Sequence, residues 1–111
     1  MDIAQEDLGA GVHKVTLNGS FDIAGASDVD APFSDISGSK DKVIVDFSGV
    51  DFLASIGVRT IVKTAKAMGA RGGKMVIVKP NDAAKRVLSS TGVDTIVHVV
   101  DDEAAALAAL S

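Results

Sequence analysis

The chain has 111 residues and no cysteine, so one domain over residues 1–111 is predicted, without disulfides, thiolate zinc sites or a cysteine nucleophile. The hydrophobic fraction of 47% suits a folded globule, and the formal net charge of −4 argues against nucleic-acid binding. No apolar stretch approaches the ~20 residues needed to cross a bilayer, so we expect a cytoplasmic protein with no direct membrane insertion.

The first third of the chain predicts two strands followed by a helix. Val12–Leu17 alternates loosely between apolar and polar residues and runs into Asn18-Gly19, which is typical of a strand that ends in a turn. Residues 2–7 are predicted as a further short strand. Residues 22–40 carry apolar side chains at helical spacing after a capping aspartate. A short helix is therefore predicted, bent if Pro32 lies beyond its first turn.

The middle of the chain has the pattern of a strand, a loop, a helix and a strand. Lys42–Phe47 is an apolar run of strand length, typical of a strand buried on both faces. Ile56–Met68 places its apolar residues on one stripe, which predicts a helix that ends at Gly69. Met75–Val78 is predicted as a second buried strand. The loop over residues 46–55 therefore lies at the carboxyl end of a strand, where open α/β sheets place their sites.

The last third of the chain predicts a helix, a strand and a final helix. Asn81 or Asp82 is the expected cap of the first helix, which a glycine ends. Thr95–Val100 is predicted as a third core strand, and Asp101-Asp102 opens an Ala/Leu-rich helix. Alternating strands and helices predict an α/β domain, with about four helices packed on a mixed sheet of four or five strands.

Ser55 is the strongest candidate for a functional residue. It is predicted to lie at the start of a helix, where backbone N–H groups lack partners and an anion is stabilised. Gly49 is expected to permit a tight loop, Phe52 to anchor it, and Gly57 to let a partner approach the backbone. Two interpretations follow: a phosphoacceptor that small neighbours such as Ala54 leave uncovered, or a plain helix N-cap.

Several segments together resemble one known family. The stretch Asp46-Phe-Ser-Gly-Val-Asp-Phe-Leu-Ala-Ser-Ile-Gly57 resembles the signature loop of STAS domains, and of anti-sigma-factor antagonists in particular. Gly19-Ser-Phe-Asp22 is similar to the turn after the family's second strand, and Gly73-Lys-Met-Val-Ile-Val78 to the strand after its signature helix. Ser90-Thr-Gly-Val93 resembles the ending of the family's next helix. The resemblance covers essentially the whole chain.

The resemblance implies a single STAS-like domain that acts in a partner switch, without a cofactor. Such an antagonist binds a small anti-sigma serine kinase that also holds a sigma factor, and so releases the sigma factor. The kinase phosphorylates the signature serine, here Ser55, and a PP2C-like phosphatase resets it. The family's best-known form has Asp and Ser where this chain has Ala54 and Ile56. The residues expected to bind the partner surround the phosphoacceptor: Asp22, Ser48, Gly49, Asp51, Phe52, Ala54, Ile56, Gly57 and Arg59.

Three other functions stay open at this point. One is a STAS scaffold of a larger signalling or transport assembly that binds without phosphorylation. A second is a nucleotide-binding module, since some relatives are reported to bind nucleotides at this loop. The third, a hydrolase using Ser55, needs a histidine and an acid converging on it, whereas His13 and His98 are interpreted as structural. No enzyme activity is therefore expected. Asp22 and Asp46 are interpreted as a helix cap and a turn residue, so no metal site is expected.

Overall fold

A five-stranded mixed sheet forms the centre of the molecule, whose computed structural model describes residues 1–111. The strands lie side by side in the order of the sequence. β1 is antiparallel to β2, and every later neighbour is parallel, which confirms the mixed sheet predicted from the sequence. The strands are β1 (Asp2–Gly9), β2 (Val12–Phe21), β3 (Lys42–Leu53), β4 (Lys74–Val78) and β5 (His98–Val100).

Four α-helices cover the two faces of this sheet. They are α1 (Ile23–Ser39), α2 (Ser55–Ala70), α3 (Asp82–Ser90) and α4 (Glu103–Leu110). Helices α1, α2 and α3 share the larger core with Phe21, Phe47 and Ile77, whereas α4 packs Ala106 and Leu110 on the opposite face. A parallel sheet needs cover on both sides, and this arrangement supplies it. None of the helices has the length and apolarity required to cross a membrane.

Strands β2 and β3 run further than predicted, and this extension positions the site. Asn18-Gly19 is not a turn, because β2 continues to Phe21, and β3 continues to Leu53 instead of ending at Phe47. Beyond Asp46, β3 pairs only with β2, and the register shifts twice along that pairing. Such bulges break the two-residue alternation of side chains, so the sequence pattern did not indicate a strand there.

The two helices beside the site also differ from their predicted bounds. The helix predicted as short in residues 22–40 is the 17-residue α1, with Asp22 as its cap as expected and Pro32 in its interior. The proline removes one backbone hydrogen bond without ending the helix. Gly69 does not end α2, which continues to Ala70, and Gly72 takes the left-handed conformation that follows it.

The C-terminal third matches its prediction except for the last strand. Asn81 caps α3 by accepting a hydrogen bond from the N–H of Ala84, and Asp102 caps α4 in the same way. The predicted core strand Thr95–Val100 is wrong, because its first residue belongs to a 3₁₀ turn and only three residues pair with β4. β5 is therefore a short edge strand.

Candidate functional site

Ser55 is the first residue of α2 and is exposed to solvent. The N-cap is Ala54, whose extended backbone leads into the helix and whose side chain makes no capping hydrogen bond. The interpretation of Ser55 as a plain helix N-cap is therefore wrong, because Ala54 occupies that position. Its hydroxyl lies outside the capping position, and it is accessible to a second molecule.

The start of α2 is held against the end of β2 by Phe21. The N–H of Ala54 donates to the carbonyl oxygen of Phe21 over 3.0 Å. One turn into the helix, Gly57 is buried against the same residue. A Cβ at Gly57 would lie 2.8 Å from two ring carbons and the carbonyl oxygen of Phe21. The absence of a side chain at Gly57 thus permits close packing inside the domain, which is a different reason from the partner approach expected of it.

The start of α1 lies beside the start of α2 because β2 and β3 end in register. Phe21 pairs with Leu53, so the residues that follow these two strands emerge at the same edge of the sheet. Asp22 then caps α1 by accepting a hydrogen bond from the N–H of Gly25 at 2.9 Å. The next residue, Ile23, is 79% exposed.

Two large apolar side chains are exposed at the edge of the sheet where α2 begins with Ser55. Phe52, at the end of β3, is 56% exposed, and it joins the exposed Ile23 at this edge of the sheet. We refer to the exposed and half-buried residues at the ends of β2 and β3 and in the first turns of α1 and α2 as the Ser55 surface: Ser20, Asp22, Ile23, Asp51, Phe52, Ala54, Ser55, Ile56 and Arg59. Large exposed apolar residues grouped in one place are typical of protein-binding surfaces.

A side-chain hydrogen bond crosses the two strands within this surface. The hydroxyl of Ser20 donates to the carboxylate of Asp51 over 2.9 Å. The bond holds one negative charge on the same surface as Ser55. Ser20 was recognised only as part of the turn that resembles the family's, and neither Ser20 nor Ile23 was expected to bind the partner, because the predicted turn at Asn18-Gly19 ended β2 too early.

Ser48 and Gly49 lie further back along β3 than the rest of the predicted site. Gly49 does not form a tight loop, because it is part of the strand and pairs with Asn18. A Cβ at Gly49 would collide with the side chain of Asn18 and approach the carbonyl oxygen of Leu17 at 3.0 Å. The glycine thus makes room for a neighbouring strand, and the Ser48–Gly49 segment is separated from Ser55 by the remainder of β3.

Comparison with known proteins identifies the family to which this arrangement corresponds. The profile of the STAS domain matches residues 7–106. The chain belongs to the STAS domain family. The expected α/β fold is confirmed by solved STAS structures. A protein from Planctomyces limnophilus, described as an anti-sigma-factor antagonist (STAS) domain protein, superposes with a TM-score of 0.85 at 18% identity, covering 99% of this chain and 98% of that one.

Other relatives of this STAS domain carry the description of anti-sigma factor antagonists. A candidate antagonist from Thermotoga neapolitana is 35% identical over 66 residues, 60% of this chain and 58% of the relative, so the match spans less than two thirds of that protein. An antagonist from Mycobacterium paratuberculosis is 25% identical with a TM-score of 0.88, over 98% of this chain and 92% of that one. The Bacillus cell fate determinant SpoIIAA in its phosphorylated form has a TM-score of 0.76 at 18% identity, over 99% and 100% of the two chains.

A partly buried charged cluster lies on the face of the STAS domain that α4 covers. Lys14 donates to Glu103 at the start of α4 over 2.7 Å, and its ammonium lies 3.7 Å from the carboxylate of buried Asp46. The hydrogen bond to Glu103 raises the pKa of Lys14, although burial opposes it. The cluster attaches the last helix to β2 and β3.

Asp46 carries its charge despite its burial. Burial alone would raise the pKa of its carboxyl, but hydrogen bonding from Ser48, whose N–H donates over 2.8 Å, lowers it. The ammonium groups of Lys14 and Lys79 lower it further, so the pKa lies below its ordinary value of 3.8. Asp46 faces α4 whereas Asp22 caps α1 on the other face, so the two carboxylates do not form a pair.

The charge of Asp46 is expected to stabilise the domain above pH 4 and to lose this effect in acid. Because the pKa is lower in the folded chain than in the unfolded one, the contribution is present above the unfolded value and disappears as the pH falls through the folded value. Asp46→Asn should therefore be less stable at pH 7 by about 1 kcal/mol, the amount by which a hydrogen bond to a charged group typically exceeds one to a neutral group. The difference should shrink below pH ~4.

Urea unfolding of both proteins between pH 7 and pH 3 measures this difference. The asparagine keeps an oxygen that accepts from Ser48, so the comparison isolates the charge. Asp94→Asn, at an exposed position outside the cluster, controls for the loss of one negative charge. A stability difference that stayed constant down to pH 3 would contradict the assignment.

The histidines do not converge on Ser55. His13 lies in the β1–β2 hairpin, where its Nε2 is 2.7 Å from the side-chain oxygen of Gln5, and burial lowers its pKa. His98 is in the edge strand β5, on the far side of β4. Neither position supplies the general base that a serine hydrolase needs at its nucleophile.

Proposed function

We propose that this STAS domain is an anti-sigma factor antagonist that binds an anti-sigma serine kinase through the Ser55 surface and is released when Ser55 is phosphorylated. The observation that carries the proposal is the exposed Ser55 at the first position of α2, at the edge of the sheet where Ile23 and Phe52 are also exposed. Relatives described as anti-sigma factor antagonists support it. The proposal places the protein in the bacterial cytoplasm, in the regulation of transcription, with a PP2C-like phosphatase to reset it.

The unmodified surface suits a protein partner. Burial of apolar area contributes roughly 25 cal/mol per Å², and two large apolar side chains exposed together offer that area. Asp22 and Asp51 border the patch, so the complementary surface is expected to be basic around an apolar centre. Binding of such a surface covers the hydroxyl of Ser55.

A phosphate on Ser55 opposes this complex for two physical reasons. It adds about −1.5 to −2 charges, which must lose water when the interface closes. It also lies on the same surface as the carboxylate of Asp51, and like charges in an interface weaken binding. The switch therefore acts on the affinity of the complex.

The fold itself accommodates the phosphate. Ser55 makes no capping hydrogen bond that the modification could remove. The first hydrogen bonds of α2 run from the N–H groups of Gly57 and Val58 to the carbonyl oxygen of Ala54. The N–H groups of Ser55 and Ile56 therefore have no acceptor within the helix. Negative charge at this end of a helix stabilises it by about 0.3–1 kcal/mol.

Incubation with ATP and the anti-sigma serine kinase of the source organism is expected to add one phosphate to the chain. Ser55→Ala should remove the acceptor and leave the mass unchanged. Ser90→Ala, at an exposed serine at the other end of the molecule, should be phosphorylated like the unmodified chain. Intact-mass spectrometry measures all three proteins.

The affinity of the kinase for the chain distinguishes a phosphorylation switch from a STAS scaffold that binds without phosphorylation. Ser55→Asp should weaken binding of the kinase by about tenfold or more, which corresponds to a loss of about 1.4 kcal/mol or more of binding free energy. The melting temperature of this variant should stay nearly unchanged. A chain that binds the kinase yet accepts no phosphate would exclude the switch and favour a STAS scaffold. Equal affinity of Ser55→Asp and the unmodified chain would contradict the proposed release.

A further inference from the structure

A groove between α1 and α2 begins at Ile56, the residue that follows Ser55. It has a volume of about 210 Å³ and is lined by charged and hydroxyl side chains with a few apolar ones. Asp30 on α1 contributes one negative charge, and Arg59 and Lys63 on α2 contribute two positive charges. In a chain with a net charge of −4, this groove is locally positive.

The two cations of the groove have no carboxylate partner. The ion pairs within the chain involve other residues, and neither Arg59 nor Lys63 takes part in one. Asp30 lines the same groove without reaching either of them. Arg59 is exposed, so its guanidinium is free to bind an anion that appears nearby.

The phosphoacceptor and Arg59 are neighbours on the surface of α2. Residues four apart in a helix lie on the same face, with their Cβ atoms about 5–6 Å apart. Ser55 and Arg59 have this spacing, and both are exposed. The acidic group would lie N-terminal to the basic one, which is the more favourable order for such a pair. Lys63 is a further turn away.

We propose that the phosphate on Ser55 is bound within the same chain by the guanidinium of Arg59, which is thereby withdrawn from the groove. The inference rests on the proposed function only in taking Ser55 as the phosphoacceptor. A guanidinium and a phosphate form paired, charge-assisted hydrogen bonds, and these are stronger than bonds between neutral groups. The carboxylates of Asp22 and Asp51 on the same surface oppose the added charge, and Arg59 offsets this opposition.

The pairing changes the charge that the groove presents. Before phosphorylation, the groove presents the positive charges of Arg59 and Lys63 and the negative charge of Asp30. After phosphorylation, the charges of Lys63 and Asp30 remain, and their sum is zero. A partner whose acidic side chain binds Arg59 would lose that contact at the same time as the phosphate enters the interface. Phosphorylation would then act on the groove as well as on the Ser55 surface.

The test uses phosphoserine incorporated genetically at position 55, so it needs no kinase. Phosphorus NMR titration gives the second pKa of the phosphate, which is about 6 without a neighbouring charge. In the Arg59→Gln protein this pKa should be higher by about half a unit or more, because the nearby cation no longer favours the dianion. Lys63→Gln is the matched control and should change it less. The difference should decrease in 1 M salt, where the screening length is about 3 Å.

Each outcome is distinct from the kinase experiment. The pairing would be overturned if the phosphate on position 55 had the same pKa with Arg59 present and in the Arg59→Gln protein. This outcome does not depend on whether a kinase modifies Ser55. An equal effect of Lys63→Gln would overturn the specific role of Arg59. A chain that no kinase phosphorylates can still give the expected shift, which would leave the pairing intact and remove only the proposed function.

Discussion

Gly57→Ala is expected to lower the free energy of unfolding by about 1–3 kcal/mol, the usual cost of forcing an extra carbon into a well-packed core. The added Cβ would lie 2.8 Å from ring carbons and from the carbonyl oxygen of Phe21, so either α2 or β2 must shift. The carbonyl is backbone and cannot rotate away. Because the same carbonyl anchors the N–H of Ala54, the shift should also displace Ser55.

Gly69→Ala provides the control within the same helix. Gly69 is exposed, and a Cβ added there would meet no atom within 4 Å, so only the helix preference of alanine acts at this position. This variant should gain about 0.5–1 kcal/mol. Urea unfolding of both variants measures the contrast, and equal effects at the two positions would refute the close contact at Gly57.

Phe21→Ala is expected to have the largest effect on stability, a loss of about 3–5 kcal/mol. The ring is fully buried, with its centroid 6.4 Å from that of Phe33 and 6.3 Å from that of Phe47. Its removal leaves a cavity where α1, α2 and the sheet meet. Since a domain of this kind is stable by about 5–15 kcal/mol, the variant should unfold at a much lower urea concentration.

Phe52→Ala makes the same chemical change at an exposed position. Phe52 is 56% exposed at the Ser55 surface, so its removal should cost little stability and should weaken binding of the kinase. Combining Phe21→Ala with Gly57→Ala tests the contact between them, because the alanine at position 57 then meets no ring. The double variant should cost less than the sum of the two single ones. Additive costs would contradict a direct clash with the ring.

The helix and strand core could be predicted well from local patterns. Met75–Val78 is buried as expected within β4, and Asn81 and Asp102 cap the helices that follow them. These features depend on residues close in sequence, such as an apolar run or a side chain that reaches an N–H three positions later. The edge strand β5 was predicted too long, because an apolar run indicates burial and does not distinguish a strand from a 3₁₀ turn.

The candidate site was predicted in part. Ser55 and Phe52 were recognised, and both are exposed at the edge of the sheet. The role of Gly57 was misjudged because its neighbour, Phe21, is distant in sequence, and the same holds for Gly49 and Asn18. A glycine in the sequence shows that space is needed but does not show which atoms occupy it.

The sequence by itself determined the order of strands and helices, the STAS resemblance and the choice of Ser55, because each depends on spacing along the chain. Tertiary structure decided what surrounds that serine. The bulged pairing of β2 with β3 brings Ile23 and Phe52 to the same edge of the sheet, and the packing of α1 against α2 forms the groove that Arg59 lines. These neighbours are set by register and by contact across strands and helices, which local patterns do not encode.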